Sequence, residues 1–236
     1  MATAIVLQAR MGSRRLPGKS LAPLGSGTVL GQCILRLSRA GLPVIVATTY
    51  RREDDAVAAE ATRLGAAVFR GDADDVLKRY LDTARAFGIT TIIRATADNP
   101  CVDADGVRRL RRVADCVAVD AAIEWGLPVG AAVELVTLEA LTRAAALITD
   151  PFDREHVTTF VRRYPGFRVL RALSPAPLRR PELRLTIDTA DDLEFVQTLT
   201  SDLGATPEHA PLDRIIRAAD ASIVRRLSRP RARQGA

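Results

Sequence analysis

Short runs of β-branched and apolar residues alternate with longer segments of helical periodicity along the first hundred residues, and this alternation constrains the fold more than any other feature. Strands are predicted at 4–9, 43–49, 66–70 and 90–96. Helices are predicted between them, at 28–41, 52–65 and 72–88, and each segment ends at a glycine. Such alternation produces right-handed crossovers and places helices on both faces of a sheet. The predicted fold class is therefore α/β, with a Rossmann-like, mostly parallel sheet.

The second half of the chain departs from this rhythm and predicts an extension of the same sheet. Further helices are predicted at 104–114, 138–147, 153–163 and 189–204. Further strands are predicted at 116–122, 131–136, 167–173 and 183–188. No polar or Pro/Gly-rich linker separates the two halves, so we expect a single domain that covers residues 1–224.

Positive charge is concentrated at the C-terminus rather than spread over the chain. The formal net charge is +6, but residues 225–236 contain five arginines and no acid, and the rest has 29 basic against 28 acidic residues. A Pro/Arg/Gly-rich segment with few apolar residues predicts a disordered, basic tail. An RNA-binding arm is the alternative, but six Phe, three Tyr and one Trp are too few to predict base-stacking platforms. We therefore expect no nucleic-acid partner.

The cysteines and the N-terminus bear on where the protein is located. Cys33, Cys101 and Cys116 are an odd number without metal-ligand spacing, which is typical of reduced core thiols in a cytosolic protein. The apolar run at 4–9 is too short for a signal peptide or a membrane span. We expect a cytoplasmic protein with no membrane partner.

Polar residues cluster directly after each of the four predicted parallel strands. The clusters occupy 8–15, 48–55, 70–75 and 96–100. In open α/β sheets, ligands bind outside the carboxyl ends of the strands. The sequence therefore predicts one binding site that these four segments share.

The first of these clusters resembles a P-loop but differs from it in two ways. Gly12 and Gly18 enclose five residues, whereas a P-loop has four between its first glycine and its Gly-Lys pair. A P-loop also continues as a helix, but Pro23, Gly25 and Gly27 follow Lys19 closely and would interrupt one. We conclude that this segment is not a P-loop.

What remains is a long, glycine-containing, cationic loop. Its basic residues are Arg10, Arg14, Arg15 and Lys19. Arginine forks and a lysine point charge are the side chains that hold phosphate oxygens, so the loop predicts a triphosphate site. A solvated basic loop is the alternative, and the position at a strand's carboxyl end argues against it.

Residues 8–30, QARMGSRRLPGKSLAPLGSGTVL, resemble the signature of the nucleotidyltransferases that make CMP-activated sugar acids, most closely the spore-coat polysaccharide branch. Five further segments match in the family's order: 47–58, 68–84, 92–103, 150–158 and 183–194. The resemblance covers roughly residues 3 to 200 and implies a fold of the nucleotide-diphospho-sugar transferase type. It divides the domain into a nucleotide-binding half at 1–100 and an acceptor and dimerisation half at 101–224.

The resemblance implies attack of an acceptor hydroxyl on the α-phosphate of CTP with release of pyrophosphate, a reaction that needs positioning and charge stabilisation. Lys19, Arg15 and Asp98 are its implied catalytic residues, with Lys19 neutralising charge at the reacting phosphates. The implied nucleotide-binding residues are Leu7, Gln8, Ala9, Arg10, Gly12, Ser13, Arg15, Lys19, Arg79 and Thr96. Backbone groups of Leu7 to Ala9 would contact the base. Arg14 stands where relatives carry a small hydroxyl residue and receives no role.

Two aspartates match the family's metal ligands, and the implied cofactor is Mg²⁺. Asp98 follows the fourth predicted strand, and Asp188 comes from a distant segment. Magnesium typically binds one or two carboxylates together with phosphate oxygens and water. An aspartate before a threonine is also a common helix N-cap arrangement, so Asp188 alone would not predict a metal site.

The acceptor side matches the family less well. Its implied residues are Arg70, Arg94, Glu134, His156 and Arg184. Val129 and Ala132 stand where the sugar branch carries two aspartates. Losing two hydrogen-bond acceptors predicts weaker binding of a polyhydroxylated sugar, so the acceptor is expected to be smaller, less hydroxylated or more anionic.

The sequence thus predicts a Mg²⁺-dependent cytidylyltransferase that binds CTP and a small, acidic, hydroxylated acceptor. Relatives imply a homodimer with the contact at 131–170. Two alternatives stay open: a catalytically inactive nucleotide-binding regulatory protein, and a nucleotidyltransferase that uses a different nucleoside triphosphate.

Overall fold

The structure is a computed structural model that describes residues 2–204 and 207–228. In these residues the strands are β1 (Thr3–Gln8), β2 (Pro23–Leu24), β3 (Gly27–Thr28), β4 (Val44–Thr49), β5 (Ala67–Gly71), β6 (Thr91–Thr96), β7 (Ala121–Trp125), β8 (Glu134–Thr137) and β9 (Val169–Leu173). The α-helices are α1 (Val29–Ser38), α2 (Asp55–Arg63), α3 (Val76–Ala86), α4 (Ala104–Cys116), α5 (Leu138–Leu147), α6 (Pro151–His156), α7 (Thr159–Arg163), α8 (Ala190–Leu203) and α9 (Leu212–Ser228).

Seven of the strands form one mixed sheet in the order β5-β4-β1-β6-β8-β7-β9. The strands β5, β4, β1 and β6 are parallel. The strand β8 runs antiparallel to both of its neighbours, and β9 pairs in parallel with β7. This arrangement confirms the predicted Rossmann-like, mostly parallel sheet, and the second half extends the same sheet.

Alternate residues of β1 contribute to cores on opposite faces of the sheet. Ile5 and Leu7 pack in the cluster that includes α1 and α2, whereas Ala4 and Val6 pack in the cluster that includes α3 and α5. This is the period-two pattern of a strand that is buried on both faces. A third apolar cluster lies under α8 and α9. It includes Leu24 and Val29, so these two helices pack next to the segment that follows β1.

Several boundaries differ from the sequence prediction, and each has a local cause. The helix α4 continues to Cys116, because the N–H of Val117 still donates to the carbonyl of Val113, so β7 starts only at Ala121. Residues 183–188 do not form a strand and make a single bridge, between Val129 and Arg184. The predicted helix at 153–163 is divided in two at Val157.

Most of the segment predicted to be a disordered, basic tail lies outside the described residues. The helix α9, which the sequence pattern did not predict, continues to Ser228 and so includes the first four residues of the segment expected to be a disordered tail. Residues 229–236 lie outside the described residues. Across the described ranges, we found no helix with the length and apolar character needed to cross a membrane.

Candidate active site

A cavity of about 960 Å³ opens at the carboxyl ends of β1 and β6, where the sequence predicted a shared site. Most of the predicted site residues line it. They are Gln8, Ala9, Arg10, Gly12, Ser13, Arg15, Lys19, Arg94, Thr96, Asp98, His156, Arg184 and Asp188. The alternation of strands and polar segments therefore agrees with the position of this cavity.

The cationic loop after β1 is held by its own backbone rather than by a long helix. Gly18 has a φ of 75°, a conformation that glycine adopts without steric cost, and its N–H donates to the carbonyl of Met11 at 3.0 Å. The N–H of Met11 donates to the buried carboxylate of Asp54 at 2.6 Å. One 3₁₀ turn, Lys19–Leu21, follows. The helix dipole of a P-loop is therefore absent here.

Lys19 lies at the centre of the cavity and joins the two predicted metal ligands. Its Nζ donates to Oδ2 of Asp98 at 2.9 Å, to Oδ1 of Asp188 at 3.1 Å and to the carbonyl of Ile187 at 2.8 Å. Three acceptors satisfy the three N–H groups of an ammonium. The two carboxylates thus converge on one cation, although 90 residues separate them in the sequence.

Asp188 is surrounded by three cations. Besides Lys19, the guanidinium of Arg15 lies 3.0 Å from Oδ1, and that of Arg184 lies 2.5 Å from Oδ2. Burial raises the pKa of this carboxyl, but Lys19 and Arg184 outweigh that effect and hold the pKa below its ordinary value. Asp188 is therefore a carboxylate at neutral pH.

The converging oxygens match the donor set that a hard divalent cation prefers. Asp98, Asp188 and the carbonyl of Ile187 supply oxygen atoms only, and they already surround a positive charge. No group of three or more His, Cys, Asp or Glu side chains that could hold a metal occurs among the described residues. Two carboxylates nevertheless suit Mg²⁺, which takes its other ligands from phosphates and water.

Backbone pairing brings Asp188 to this position. The N–H of Val129 donates to the carbonyl of Leu183, and the N–H of Ile187 donates to the carbonyl of Asp98, both at 2.8 Å. Gly130 allows this approach, because a Cβ at its position would lie 2.7 Å from the backbone nitrogen of Thr186. The segment that carries Asp188 is therefore fixed against β6 without forming a strand.

Two of the predicted nucleotide-binding residues, Leu7 and Arg79, do not line the cavity. Leu7 is fully buried between β4 and β6, because it lies inside β1 rather than at its end. Arg79 is also fully buried, and its Nη1 donates to the carbonyl of Asp72. The Nε and Nη2 atoms of Arg79 have no hydrogen-bond partner within the described residues, and burial lowers the pKa of this guanidinium.

Two of the predicted acceptor-binding residues, Arg70 and Glu134, also lie outside the cavity lining. Arg70 donates to the carbonyls of Thr49 and Arg51 and forms an ion pair with Asp55, so it braces the loop after β4. Glu134 lies behind the cavity wall, and its side chain is 13% exposed. The ion pairs of Glu134 direct its side chain into the protein, whereas Arg70 pairs with the exposed Asp55.

Glu134 is the centre of an ion-pair network behind the acceptor side. It accepts from Nη1 of Arg94 at 3.0 Å, from Nη1 of Arg162 at 2.8 Å and from the hydroxyl of Thr158 at 2.5 Å. Burial raises the pKa of Glu134, but the two guanidinium groups outweigh that effect and lower it. This network fixes Arg94, which does line the cavity, from behind.

The backbone is strained next to His156. Val157 has φ 59° and ψ −60°, the only positive φ of a non-glycine residue in the described parts of the chain. The N–H of Thr158 donates to the carbonyl of His156 at 2.6 Å, which closes a γ-turn. A β-branched residue rarely adopts this conformation. The turn directs His156 towards the cavity and Thr158 towards Glu134.

Asp153 holds this turn in place. Its carboxylate is 2% exposed and accepts from the hydroxyl of Thr159 at 2.8 Å and from Nη2 of Arg163 at 2.5 Å. Its carbonyl accepts from the N–H of Val157 at 2.9 Å. The side chain of Val157 is fully buried in the core. These contacts stabilise a backbone conformation that would otherwise relax.

The two positions at which the family resemblance implies aspartates, Val129 and Ala132, differ in their surroundings. Val129 lines the cavity and is 46% exposed, whereas Ala132 packs against the core under α8 and α9. Of the two residues, only Val129 therefore contributes to the cavity wall.

Other cavity residues were not predicted. Arg14, Arg51, Asp74, Asn99, Gly130 and Glu155 line the cavity as well. Several of these residues lie in the polar segments after the strands. The sequence thus predicted the segments, but it did not predict which of their side chains point into the cavity. Glu155 lies 3.2 Å from Arg10 and thus links α6 to the cationic loop across the cavity mouth.

A cationic loop, two converging carboxylates and a large polar cavity at the strand ends define a nucleotidyltransferase-type site. Residues 4–213 match the family model described as "Cytidylyltransferase". The chain belongs to this family.

Named relatives agree with this assignment. The chain is 33% identical over 212 residues to the spore coat polysaccharide biosynthesis protein SpsF of Bacillus subtilis, with 86% of this chain and 88% of the relative covered. A cytidylyltransferase structure from Leptospira borgpetersenii superposes with a TM-score of 0.86 at 28% identity, covering 98% of this chain and 99% of the other.

Two more distant structures share the fold. The first is CMP:2-keto-3-deoxy-manno-octonic acid synthetase complexed with CTP, with a TM-score of 0.65, 19% identity, and coverage of 85% of this chain and 99% of the other. The second, Rv0371C of Mycobacterium tuberculosis in complex with manganese, has a TM-score of 0.60, 22% identity, and coverage of 83% and 97%. The chain described here is an enzyme of the cytidylyltransferase type, and its nucleotide is CTP.

Proposed function

We propose that this enzyme transfers CMP from CTP to a hydroxyl of a small, acidic acceptor, releases pyrophosphate and depends on Mg²⁺. The observation that carries the proposal is the convergence of Lys19, Asp98 and Asp188 in one cavity beside the cationic loop. A triphosphate brings about four negative charges, which this loop can neutralise.

The residues of the chain take distinct roles in this proposal. Arg10 and Arg15 bind the phosphates, and Lys19 neutralises charge that develops between the α-phosphate and the departing pyrophosphate. Gln8 and Ala9 contact the base at the end of β1. The side-chain oxygen of Gln8 is buried and has no partner in the described residues, so it is available to accept a hydrogen bond from an amino group.

Asp98 and Asp188 would hold the magnesium ion, which supplies Lewis-acid polarisation of the phosphates when bound. The homologous structure solved with manganese supports a divalent metal in this fold. Before the metal binds, Lys19 must leave its present position between the two carboxylates.

The acceptor is proposed to be anionic and less hydroxylated than 2-keto-3-deoxy-manno-octonic acid. Val129 offers an apolar surface where the sugar branch carries an aspartate. Arg94, Arg184 and His156 line the same cavity and can bind a carboxylate, phosphate or phosphonate. Arg70 and Glu134 do not line the cavity, so the proposal assigns them no contact with the acceptor.

The proposal also includes a cytoplasmic homodimer with its contact at 131–170, as implied by the family resemblance. The aromatic side chains of Phe160, Tyr164 and Phe167 cluster in this region, and Tyr164 is 43% exposed. Light scattering after gel filtration tests the dimer: a monomeric mass at micromolar concentration would contradict it.

Pyrophosphate release across four nucleoside triphosphates tests the proposal, with a panel of sugar acids, phosphonates and hydroxy acids as acceptors. We expect release with CTP, only with Mg²⁺ or Mn²⁺ present, and faster with an anionic acceptor of few hydroxyls than with 2-keto-3-deoxy-manno-octonic acid. Equal rates with both classes would contradict the acceptor assignment. Turnover in the presence of excess EDTA would contradict the metal requirement.

A further inference from the structure

We infer that Lys19 occupies the metal site of the nucleotide-free enzyme, so that the divalent metal binds tightly only after the nucleotide has drawn Lys19 away. This inference rests on the proposed function, because it takes Asp98 and Asp188 as the metal ligands. It adds an order of binding and assigns to Lys19 a second role besides charge neutralisation.

The contacts of Lys19 carry the first step of the argument. Its Nζ lies within 3.1 Å of Asp98 Oδ2, Asp188 Oδ1 and the carbonyl of Ile187, and its side chain is only 12% exposed. A metal ligated by the same two carboxylates cannot bind while the ammonium lies between them. All three N–H groups of the ammonium already donate hydrogen bonds, so Lys19 leaves this position only when another anion binds it more strongly.

The charge around the two carboxylates carries the second step. Arg15 and Arg184 also lie on Asp188, and Arg184 pairs with Asp192 as well, so three cations neutralise three carboxylates. The carboxylates are thus already neutralised and attract a divalent cation only weakly, whereas Arg14, which lines the cavity and has no ion pair in the described residues, adds a positive charge that attracts a triphosphate.

Nucleotide binding reverses this balance. Phosphate oxygens offer Lys19 and Arg15 new anionic partners, and both side chains belong to the loop that holds the triphosphate. Withdrawal of Lys19 then exposes two carboxylates and a carbonyl to the metal. Because thermodynamic coupling is reciprocal, the metal must raise nucleotide affinity by the same factor as the nucleotide raises metal affinity.

The test measures Mn²⁺ binding by electron paramagnetic resonance, on the full chain, without and with the α,β-methylene analogue of CTP. The variants are Lys19→Met, which removes the ammonium, and Arg14→Met as a matched control. Arg14 lines the same cavity and carries the same charge, yet it has no hydrogen bond or ion pair in the described residues. Circular dichroism melting confirms that both variants are folded.

We expect the wild-type protein to bind Mn²⁺ at least about tenfold more tightly with the analogue than without it. Without nucleotide, Lys19→Met should bind Mn²⁺ at least about tenfold more tightly than the wild type, and Arg14→Met less than about twofold. Equal nucleotide-free affinities in the wild type and Lys19→Met would overturn the inference.

A further variant separates this inference from the proposed function. Adding Asp98→Ala to Lys19→Met should abolish the gained Mn²⁺ affinity. If Mn²⁺ binding survives this change, or if Mn²⁺ does not bind even with the analogue, the metal assignment fails and the inference fails with it. If wild-type protein binds Mn²⁺ tightly without nucleotide and Asp98→Ala removes that binding, only the order of binding is wrong.

Discussion

The two sides of the cavity are built in opposite ways. On the nucleotide side, the charged groups of Lys19, Asp98 and Asp188 face the cavity and satisfy one another across the space that the substrate will occupy. On the acceptor side, Glu134 and Asp153 lie behind the wall and hold the lining residues through buried contacts. The charged side chains of the nucleotide side therefore exchange their ion-pair partners when the nucleotide binds. The side chains of the acceptor side are already held in place before the acceptor binds.

The largest effect is expected from Asp98→Ala, which removes a proposed metal ligand. Turnover should fall by about a thousandfold or more, because electrostatic stabilisation at the reacting phosphates is the main contribution to such a transfer. Pyrophosphate release measures it. Asp74→Ala is the control, because Asp74 lines the same cavity but forms its ion pair with Arg51. A similar loss in both variants would contradict a specific role for Asp98.

Glu134→Gln tests the claim that the acceptor side depends on a buried network. This change leaves Arg94 and Arg162 without their carboxylate and should cost about 3 kcal/mol of unfolding free energy, because an uncompensated buried charge is left behind. Urea denaturation measures it.

Glu124→Gln is the matched control for that experiment. Glu124 is 4% exposed and pairs with Arg109 outside the cavity lining. Both variants should lose stability, but only Glu134→Gln should also lose turnover, because Arg94 lines the cavity. Wild-type turnover in a folded Glu134→Gln protein would show that the network does not position Arg94 for catalysis.

The acid range tests Asp192, the carboxylate that holds the cavity-lining Arg184. Asp192 accepts from Arg184 and from the N–H groups of Asp188 and Thr189. Burial raises its pKa, but these donors outweigh burial and lower it from 3.8 to about 2. A depressed pKa stabilises the folded state above the unfolded pKa, and the stabilisation disappears as the pH falls through the folded pKa.

We therefore expect unfolding free energy to decline between pH 4 and pH 2, with up to about 2 kcal/mol of this decline due to Asp192. In Asp192→Asn, the unfolding free energy should change less between pH 4 and pH 2 than in the wild type. Above pH 5 it should vary with pH as in the wild type. Urea midpoints across pH measure it. An unchanged acid slope in the variant would contradict the assignment.

Val157 offers a comparison of two substitutions at one strained position. At an ordinary buried site alanine is more stabilising than glycine, but at φ 59° glycine avoids the steric cost. We expect Val157→Gly to unfold at a higher temperature than Val157→Ala, by the equivalent of about 1 kcal/mol. Calorimetry measures both, and the opposite order would show that the turn is not strained.

The smallest effect is expected from Val129→Asp, which restores an acid to the acceptor wall. The rate with 2-keto-3-deoxy-manno-octonic acid, relative to a phosphonate acceptor, should rise by about threefold, because a hydroxyl regains a hydrogen-bond acceptor at a half-exposed position. Ala132→Asp is the control, because Ala132 packs in the core rather than in the cavity. A shift of equal size in both variants would show that the cavity wall does not select the acceptor.

The sequence predicts the nucleotide side better than the acceptor side for a physical reason. Asp98 lies just after β6 and Lys19 lies in the loop that follows β1, and strand alternation fixes where those strand ends meet, so the placement of both segments follows from local pattern. Arg70, Arg79 and Glu134 also lie in or next to predicted elements, but whether a long charged side chain points outward depends on partners far away in sequence.

The sequence pattern predicted neither the division of the segment 153–163 at Val157 nor the helix α9, for a related reason. The residues around Val157 suit a continuous helix, and only the buried Asp153 and the packing of Val157 in the core enforce the turn. Tertiary contacts override local propensity at such a position.

The contact between Lys19 and Asp188 spans 169 residues, and it has a consequence for the order in which the enzyme is made. During synthesis, the cationic loop and Asp98 emerge long before the segment that carries Asp188, and domains acquire their distant contacts late. A nascent chain can therefore form the four parallel strands β1, β4, β5 and β6, with Asp98 in place, before Asp188 has been synthesised. With Asp188 as a proposed metal ligand, turnover requires the last quarter of the chain to dock, so an incomplete product that folds is expected to bind nucleotide without consuming it.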